Sequence, residues 1–203
     1  MAARKRKSER ENKRRRDFAA RPLALSLLLP LLLGACSVPL YKVAPLPQNV
    51  PIEGGQTVVA NSLEVTASAL TEDDQAFERF ETNLPLAGIV VVDLKLVNRA
   101  SESTKVLKFE LQDSTGKSFP LLDAKKQLKQ MMKSDGVRLY AVAGRQQTLE
   151  QLQAVALPKK LSLAAREEKQ GVLFFHAKRD VAQLKGLLLI VKGGKRPVTL
   201  PLS

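Results

Sequence analysis

The chain has one cysteine, one histidine, no tryptophan and only 4% aromatic residues in 203. A single cysteine excludes an intramolecular disulfide, so the fold must hold through packing alone. One histidine and one cysteine also leave no Cys/His cluster of the kind that binds structural zinc. With so few rings, the core has to be built from Leu, Val, Ala and Ile. The sequence further lacks the run of about 20 apolar residues that a membrane-spanning helix needs. Its longest apolar stretch, Leu23–Leu33, is short and carries Pro30, which breaks helical hydrogen bonding.

Positive charge is abundant but uneven. The net charge is +13, and the first 22 residues hold ten basic side chains against three acidic ones. From Cys36 onward the surplus is only +6, so the high pI argues poorly for nucleic-acid binding. Within that remainder, residues 36–120 carry −4 and residues 121–203 carry +10. If the second part forms one face, it would attract anionic partners such as lipid headgroups, phosphorylated polysaccharide or an acidic protein; a solvated surface without a partner is the alternative.

Residues 1–35 have the layout of a secretory signal peptide: a basic region, an apolar run, then small residues. Leu33-Gly34-Ala35-Cys36 resembles the bacterial lipobox, in which a leucine and two small residues precede a cysteine. The thiol must reach a diacylglyceryl donor at the membrane surface, and a peptidase must fit the backbone at Ala35. The resemblance implies lipidation of Cys36, cleavage between Ala35 and Cys36, and attachment to a membrane through palmitate-type chains. One acyl chain holds a protein marginally and two hold it stably, at about 0.8 kcal/mol per buried CH₂. Ser37 after the cysteine resembles the outer-membrane sorting pattern, which implies the periplasmic face of that membrane. Arg15-Arg16-Asp17-Phe18 resembles a twin-arginine core, while the leucine-rich run favours export as an unfolded chain.

The mature part divides in two. Residues 36–56 hold Pro39, Pro45, Pro47, Pro51 and Gly54-Gly55, and are expected to form a semi-rigid tether. Residues 57–203 are expected to form a mainly β domain, an antiparallel sandwich. Leu63, Val65, Ala67 and Ala69 alternate with polar residues; Val90, Val92, Leu94 and Leu96 oppose Asp93 and Lys95; Leu107, Phe109 and Leu111 repeat the scheme. Asp113–Gly116 is a turn, and Val172–Ala177, Gly186–Val191 and Val198–Leu202 are further strands. Between them lies a short helical insertion, about 123–157. Asp123 begins one helix, and Thr148 with Gln151 has the pattern of a capping box opening a second.

Val97-Asn98, Phe109-x-Leu111-x-Asp113, Gly116 with Phe119, and Gly171-Val-Leu-Phe-Phe175 together resemble the immunoglobulin-like domains of bacterial surface lipoproteins of the DUF4352 type. The resemblance spans roughly residues 57–192 and implies a sandwich with no catalytic residues. The insertion departs from its pattern.

Little else points to chemistry. His176 follows Phe174 and Phe175 in a strand with no evident metal or triad partner, which favours a structural or surface role. Glu72-Asp73-Asp74 with Glu78 and Glu81 lacks the ligand spacing of a calcium loop and is expected to be a solvated loop. Gly193-Gly194 is expected to be a turn between the last two strands, and Met131-Met132 to be helix core. No cofactor or metal is expected. The favoured reading is a membrane-anchored, non-enzymatic binding module. A structural or assembly accessory of an envelope complex is the alternative, and an enzyme is less favoured because no nucleophile–base arrangement is visible.

Overall fold

The computed structural model describes residues 38–46, 50–138, 144–194 and 196–202. Arg15, Arg16, Leu33, Gly34, Ala35 and Cys36 lie outside the described residues.

Among the described residues, nine strands form two antiparallel sheets. The first is ordered β1 (Gln56–Ala60), β2 (Leu63–Leu70), β3 (Ile89–Asn98) and β7 (Glu168–His176). The second is ordered β5 (Ser118–Phe119), β4 (Leu107–Gln112), β8 (Leu187–Lys192) and β9 (Val198–Leu202), with β6 (Lys160–Leu161) also on β4. The expected sandwich is present. Its central core joins Val65, Val92, Leu94, Leu173 and Phe175 of the first sheet to Phe109, Leu111, Leu189, Val191 and Leu200 of the second. The face of β3 assigned to Val90, Val92, Leu94 and Leu96 is the face that enters this core.

A second apolar layer covers the other face of the first sheet. Ile89, Val91, Val172 and Phe174 point away from the sandwich core and pack under three helices. These are α1 (Asp73–Phe80), α2 (Ala124–Ser134) and α3 (Arg145–Val155). Phe80, Leu84, Leu128, Met131, Met132 and Leu152 are fully buried there. Phe80 meets Phe174 edge to face at 5.7 Å, the favourable geometry for two ring quadrupoles. Consecutive apolar residues in β3 and β7 are thus explained: each side of the sheet is covered where the run occurs. Beyond Val92 the outer face turns polar, with Asp93 bridged to Arg79 at 2.7 Å and Lys95 to Glu168 at 2.7 Å.

The insertion at 123–157 supplies α2 and α3. Asp123 caps α2 as expected, its carboxylate accepting from the Lys126 amide at 2.9 Å. The second helix corrects the capping-box reading: α3 begins four residues earlier, its N-cap being Gly144 with φ 85° and its first residue Arg145. Thr148 is therefore inside the helix and fully buried. The acidic stretch also differs from expectation. Asp73, Asp74 and Glu78 belong to α1, whose first turn places the two aspartates at the positive end of the helix dipole.

The Asp113–Gly116 turn is as expected. Asp113 Oδ1 accepts from the Thr115 and Lys117 amides and the Thr115 hydroxyl, and its other oxygen accepts from Arg179 at 2.9 Å. Gly193 and Gly194 lie in the connection between β8 and β9. Glu110 of β4 ties three strands, accepting from Lys192 of β8, Ser118 of β5 at 2.5 Å, and its neighbour Gln112. The Lys192 contact, then Ser118 and Gln112, pull its carboxyl down from 4.5 to about 2.

Two outcomes follow from this packing. A Cβ at Gly171 would lie 2.5 Å from Leu157 Cγ and 3.2 Å from the Val155 carbonyl oxygen. Gly171→Ala should therefore cost roughly 1–3 kcal/mol in urea denaturation, and a neutral result would refute the close approach. A depressed carboxyl stabilises the fold above its unfolded value and loses that effect as pH falls through the folded one. The gap in urea midpoint between the parent and Glu110→Gln should be open near neutral pH and close between pH 4.5 and 2; a gap independent of pH would contradict the clamp.

Candidate functional site

Residues 36–56 were expected to form a semi-rigid tether; within them, the segment at 40–46 packs against the domain. Tyr41 and Val43 are each only 5% exposed and belong to the helical layer's core. The segment is extended, so Tyr41 and Val43 point inward while Lys42 points out. Every amide from Leu40 through Ala44 finds an acceptor: the Gly144 carbonyl, Thr148 Oγ1, Glu81 Oε2, Gln151 Oε1 and the Arg79 carbonyl in turn. An extended chain buried without a sheet partner must have its polar groups met elsewhere, and here α1 and α3 meet them.

Thr148 is the centre of this lock. Its hydroxyl accepts from the Tyr41 amide at 3.0 Å and donates to the Tyr41 carbonyl at 3.1 Å. The Tyr41 hydroxyl donates to Asp135 at 2.7 Å, and the same carboxylate accepts from Thr82 at 3.1 Å. Burial, then the hydrogen bond to Asp135 and its negative charge, hold the Tyr41 phenol above its ordinary pKa. It stays a protonated donor at any physiological pH. The segment is thus a strap across the helical layer, fastened at both edges.

Between α2 and the end of β7 lies an open cleft of about 390 Å³. Gln130 and Lys133 of α2 form one wall, and His176, Lys178, Arg179 and Asp180 form another. Leu86 to Gly88 complete it. Gly88, at φ 71°, fits because a Cβ there would meet the Arg179 backbone at 3.0 Å. Lys178 has a left-handed φ of 61°, uncommon for a side chain with a Cβ. His176 ends β7, its amide bonded to the Pro120 carbonyl. Its pKa is lowered by desolvation first, then by the charges of Lys178 and Lys133.

Acidic residues line two other hollows. A hollow of about 880 Å³ is lined by Glu53, Glu72, Glu78 and Asp93 with Arg79, and one of about 730 Å³ by Glu72, Asp73 and Asp74. Among the described residues, no group of three or more His, Cys, Asp or Glu side chains gathers where a metal ion could sit. Among them, too, no helix is long and apolar enough to cross a membrane.

The sequence missed the strap and its lock. The available signal was Leu40-Tyr41-x-Val43, apolar residues at strand spacing inside a proline-rich segment. His176 and Met131-Met132 were placed correctly in strand and helix, but nothing in the sequence joined His176 to Lys133, 43 positions away.

No family model matches the chain, and no curated protein matches it. Three solved structures are similar to it. The yjhA protein from Bacillus subtilis has a TM-score of 0.39 at 10% identity, over 73% of this chain and 96% of its own. A conserved hypothetical protein from Bacillus anthracis has 0.36 at 12%, over 73% and 92%. A DUF4426 family protein from Pseudomonas aeruginosa PAO1 has 0.31 at 13%, over 75% and 94%.

Thr148→Val keeps the shape of the lock and removes its hydrogen bonds, leaving two backbone groups of Tyr41 unpaired. It should cost about 1–3 kcal/mol and speed hydrogen exchange at the Tyr41 and Val43 amides. Exchange at parental rates would show that Thr148 does not hold the strap.

Proposed function

We propose that this protein is an envelope lipoprotein whose β-sandwich domain is a non-enzymatic binding module, held close to the membrane by its strap. The observation that carries the reading is the fastening of Leu40 through Ala44. Lipidated Cys36 would precede the first fastened residue by four positions, and four extended residues span at most about 14 Å. A long flexible tether would let a domain roam above the bilayer; this one would hold it at the surface.

The lipobox pattern Leu33-Gly34-Ala35-Cys36, with the basic and apolar regions before it, supports cleavage before Cys36 and acylation there. Ser37 supports the outer membrane and its periplasmic face. The DUF4352-type resemblance of Gly171–Phe175 and Phe109–Asp113 supports a domain that binds rather than catalyses. The concentration of positive charge beside the strap supports an anionic envelope component or an acidic protein as partner, with no role for nucleic acid.

Cys36→Ser should abolish incorporation of labelled palmitate and leave a precursor or soluble product on fractionation. Labelling that survives the substitution would sink the anchoring reading.

A further inference from the structure

The two faces of the cleft bring together cations that the fold leaves without anionic partners. Lys133 and Lys178 are exposed and make no ion pair among the described residues. The other groups facing His176 are Arg179 and Asp180 on its own segment and Gln130 on α2; the Leu86–Gly88 wall carries no charge. Arg179 is held by Asp113 through one nitrogen, which fixes its position. Asp180 is engaged in a local bond, accepting from the Ala182 amide at 3.0 Å. What remains is a concave surface of net positive charge: two ammonium groups without ion pairs, a guanidinium held by Asp113, the Gln130 amide that also donates to the Ala87 carbonyl, an imidazole, and one carboxylate, Asp180.

Such a set is net positive and favours the approach of an anion. Like charges around an imidazole destabilise one another, and an anion placed among them relieves all of the repulsions together. Phosphate suits the chemistry, since its oxygens accept from ammonium, guanidinium and amide donors alike. Lys133 stands two residues before Asp135, which receives the Tyr41 hydroxyl, so the cleft and the strap each use the C-terminal end of α2. A phosphate-rich surface within a short leash of the strap is the nearest source of such an anion.

We propose that the cleft formed by Gln130, Lys133, His176, Lys178 and Arg179 binds the phosphate group of a lipid headgroup in the membrane to which the chain is anchored. The choice of lipid as the source rests on the anchoring reading above; the phosphate site itself does not. Headgroup binding would orient the domain, because the strap fixes one point and the cleft a second. Protonation of His176 adds a further positive charge, so binding tightens as pH falls through its pKa. By reciprocity, bound phosphate raises that pKa.

The chain's single histidine makes the test direct, because the imidazole ring signals belong to one residue. The full chain carrying Cys36→Ser is titrated with inorganic phosphate, with chloride at equal ionic strength, and with nanodiscs of phosphatidylcholine with or without phosphatidylglycerol. Phosphate and the phosphatidylglycerol discs should each raise the His176 pKa by about one unit, while chloride and phosphatidylcholine discs should not. Lys133→Gln combined with Lys178→Gln alters two exposed side chains and should leave the amide spectrum elsewhere intact. That variant starts from a higher imidazole pKa, since two repelling charges are gone, and the phosphate-dependent rise should vanish. A response to phosphate but not to phosphatidylglycerol discs would overturn the lipid source in favour of a soluble phosphate compound. Absence of any response beyond chloride, or one that persists in the double variant, would overturn the site. No lipid is attached in this experiment, so its outcome does not depend on whether Cys36 is acylated.

Discussion

Burial of the first sheet on both faces is the constraint on which the rest of the molecule depends. Ile89–Val92 and Val172–Phe175 are neighbouring strands whose side chains emerge, in alternation, into two separate cores. The sandwich covers one face with the second sheet. The other would present Ile89, Val91, Val172 and Phe174 to water, an apolar patch of the size that soluble surfaces avoid. The helical insertion after β5 and the short helix after β2 meet that need. Each buried Leu, Met or Phe of this layer contributes on the order of 1.5–3 kcal/mol of transfer free energy, so the layer belongs to the fold's stability.

Three helices do not close the layer by themselves. Tyr41 and Val43 fill the space between α1 and α3, and the strap's amides must then be satisfied away from water. Thr148, Gln151 and Glu81 provide acceptors from side chains where a sheet would provide carbonyls. Thr148 has a particular aptitude, since one hydroxyl both accepts and donates and can therefore pair with both polar groups of a single residue. This explains why a threonine stands inside a helix, where its intrinsic preference is weak. The same geometry defeats the capping-box pattern: Thr148 and Gln151 have the right spacing, but both face the strap.

Period-two patterning made the sandwich legible, because alternation of apolar and charged residues in β2, β3 and β4 is a local signal. The helices at 123–157 were legible from apolar spacing, Asp123 and Gly136. The acidic stretch was misread because Asp73 and Asp74 are strong loop formers that also suit a first helical turn, and Ala76 and Phe80 alone give little periodicity. The strap was missed for a different reason. Proline density is a reliable sign of extended backbone, yet extended backbone is equally what a docked segment adopts. Whether it docks depends on partners more than 100 residues distant, Thr148 and Gln151 among them. The cleft was illegible on the same grounds, since it unites α2 with the end of β7.

The local reasons for each cation in that cleft can be weighed separately. Lys133 sits in the last turn of α2, where a positive charge complements the helix dipole by about 0.3–1 kcal/mol. Arg179 pairs with Asp113 and so steadies a turn. Lys178 has no such employment: it makes no ion pair among the described residues, and its backbone occupies the left-handed region, where Gly or Asn would be easier. Its position is imposed by Gly88, whose missing Cβ lets the Lys178–Arg179 backbone pass close by. A neutral residue there would have removed repulsion from His176 at no cost to the packing. Two of the three cations thus have a local partner in the fold, and the third is the one left for the proposed anion to engage.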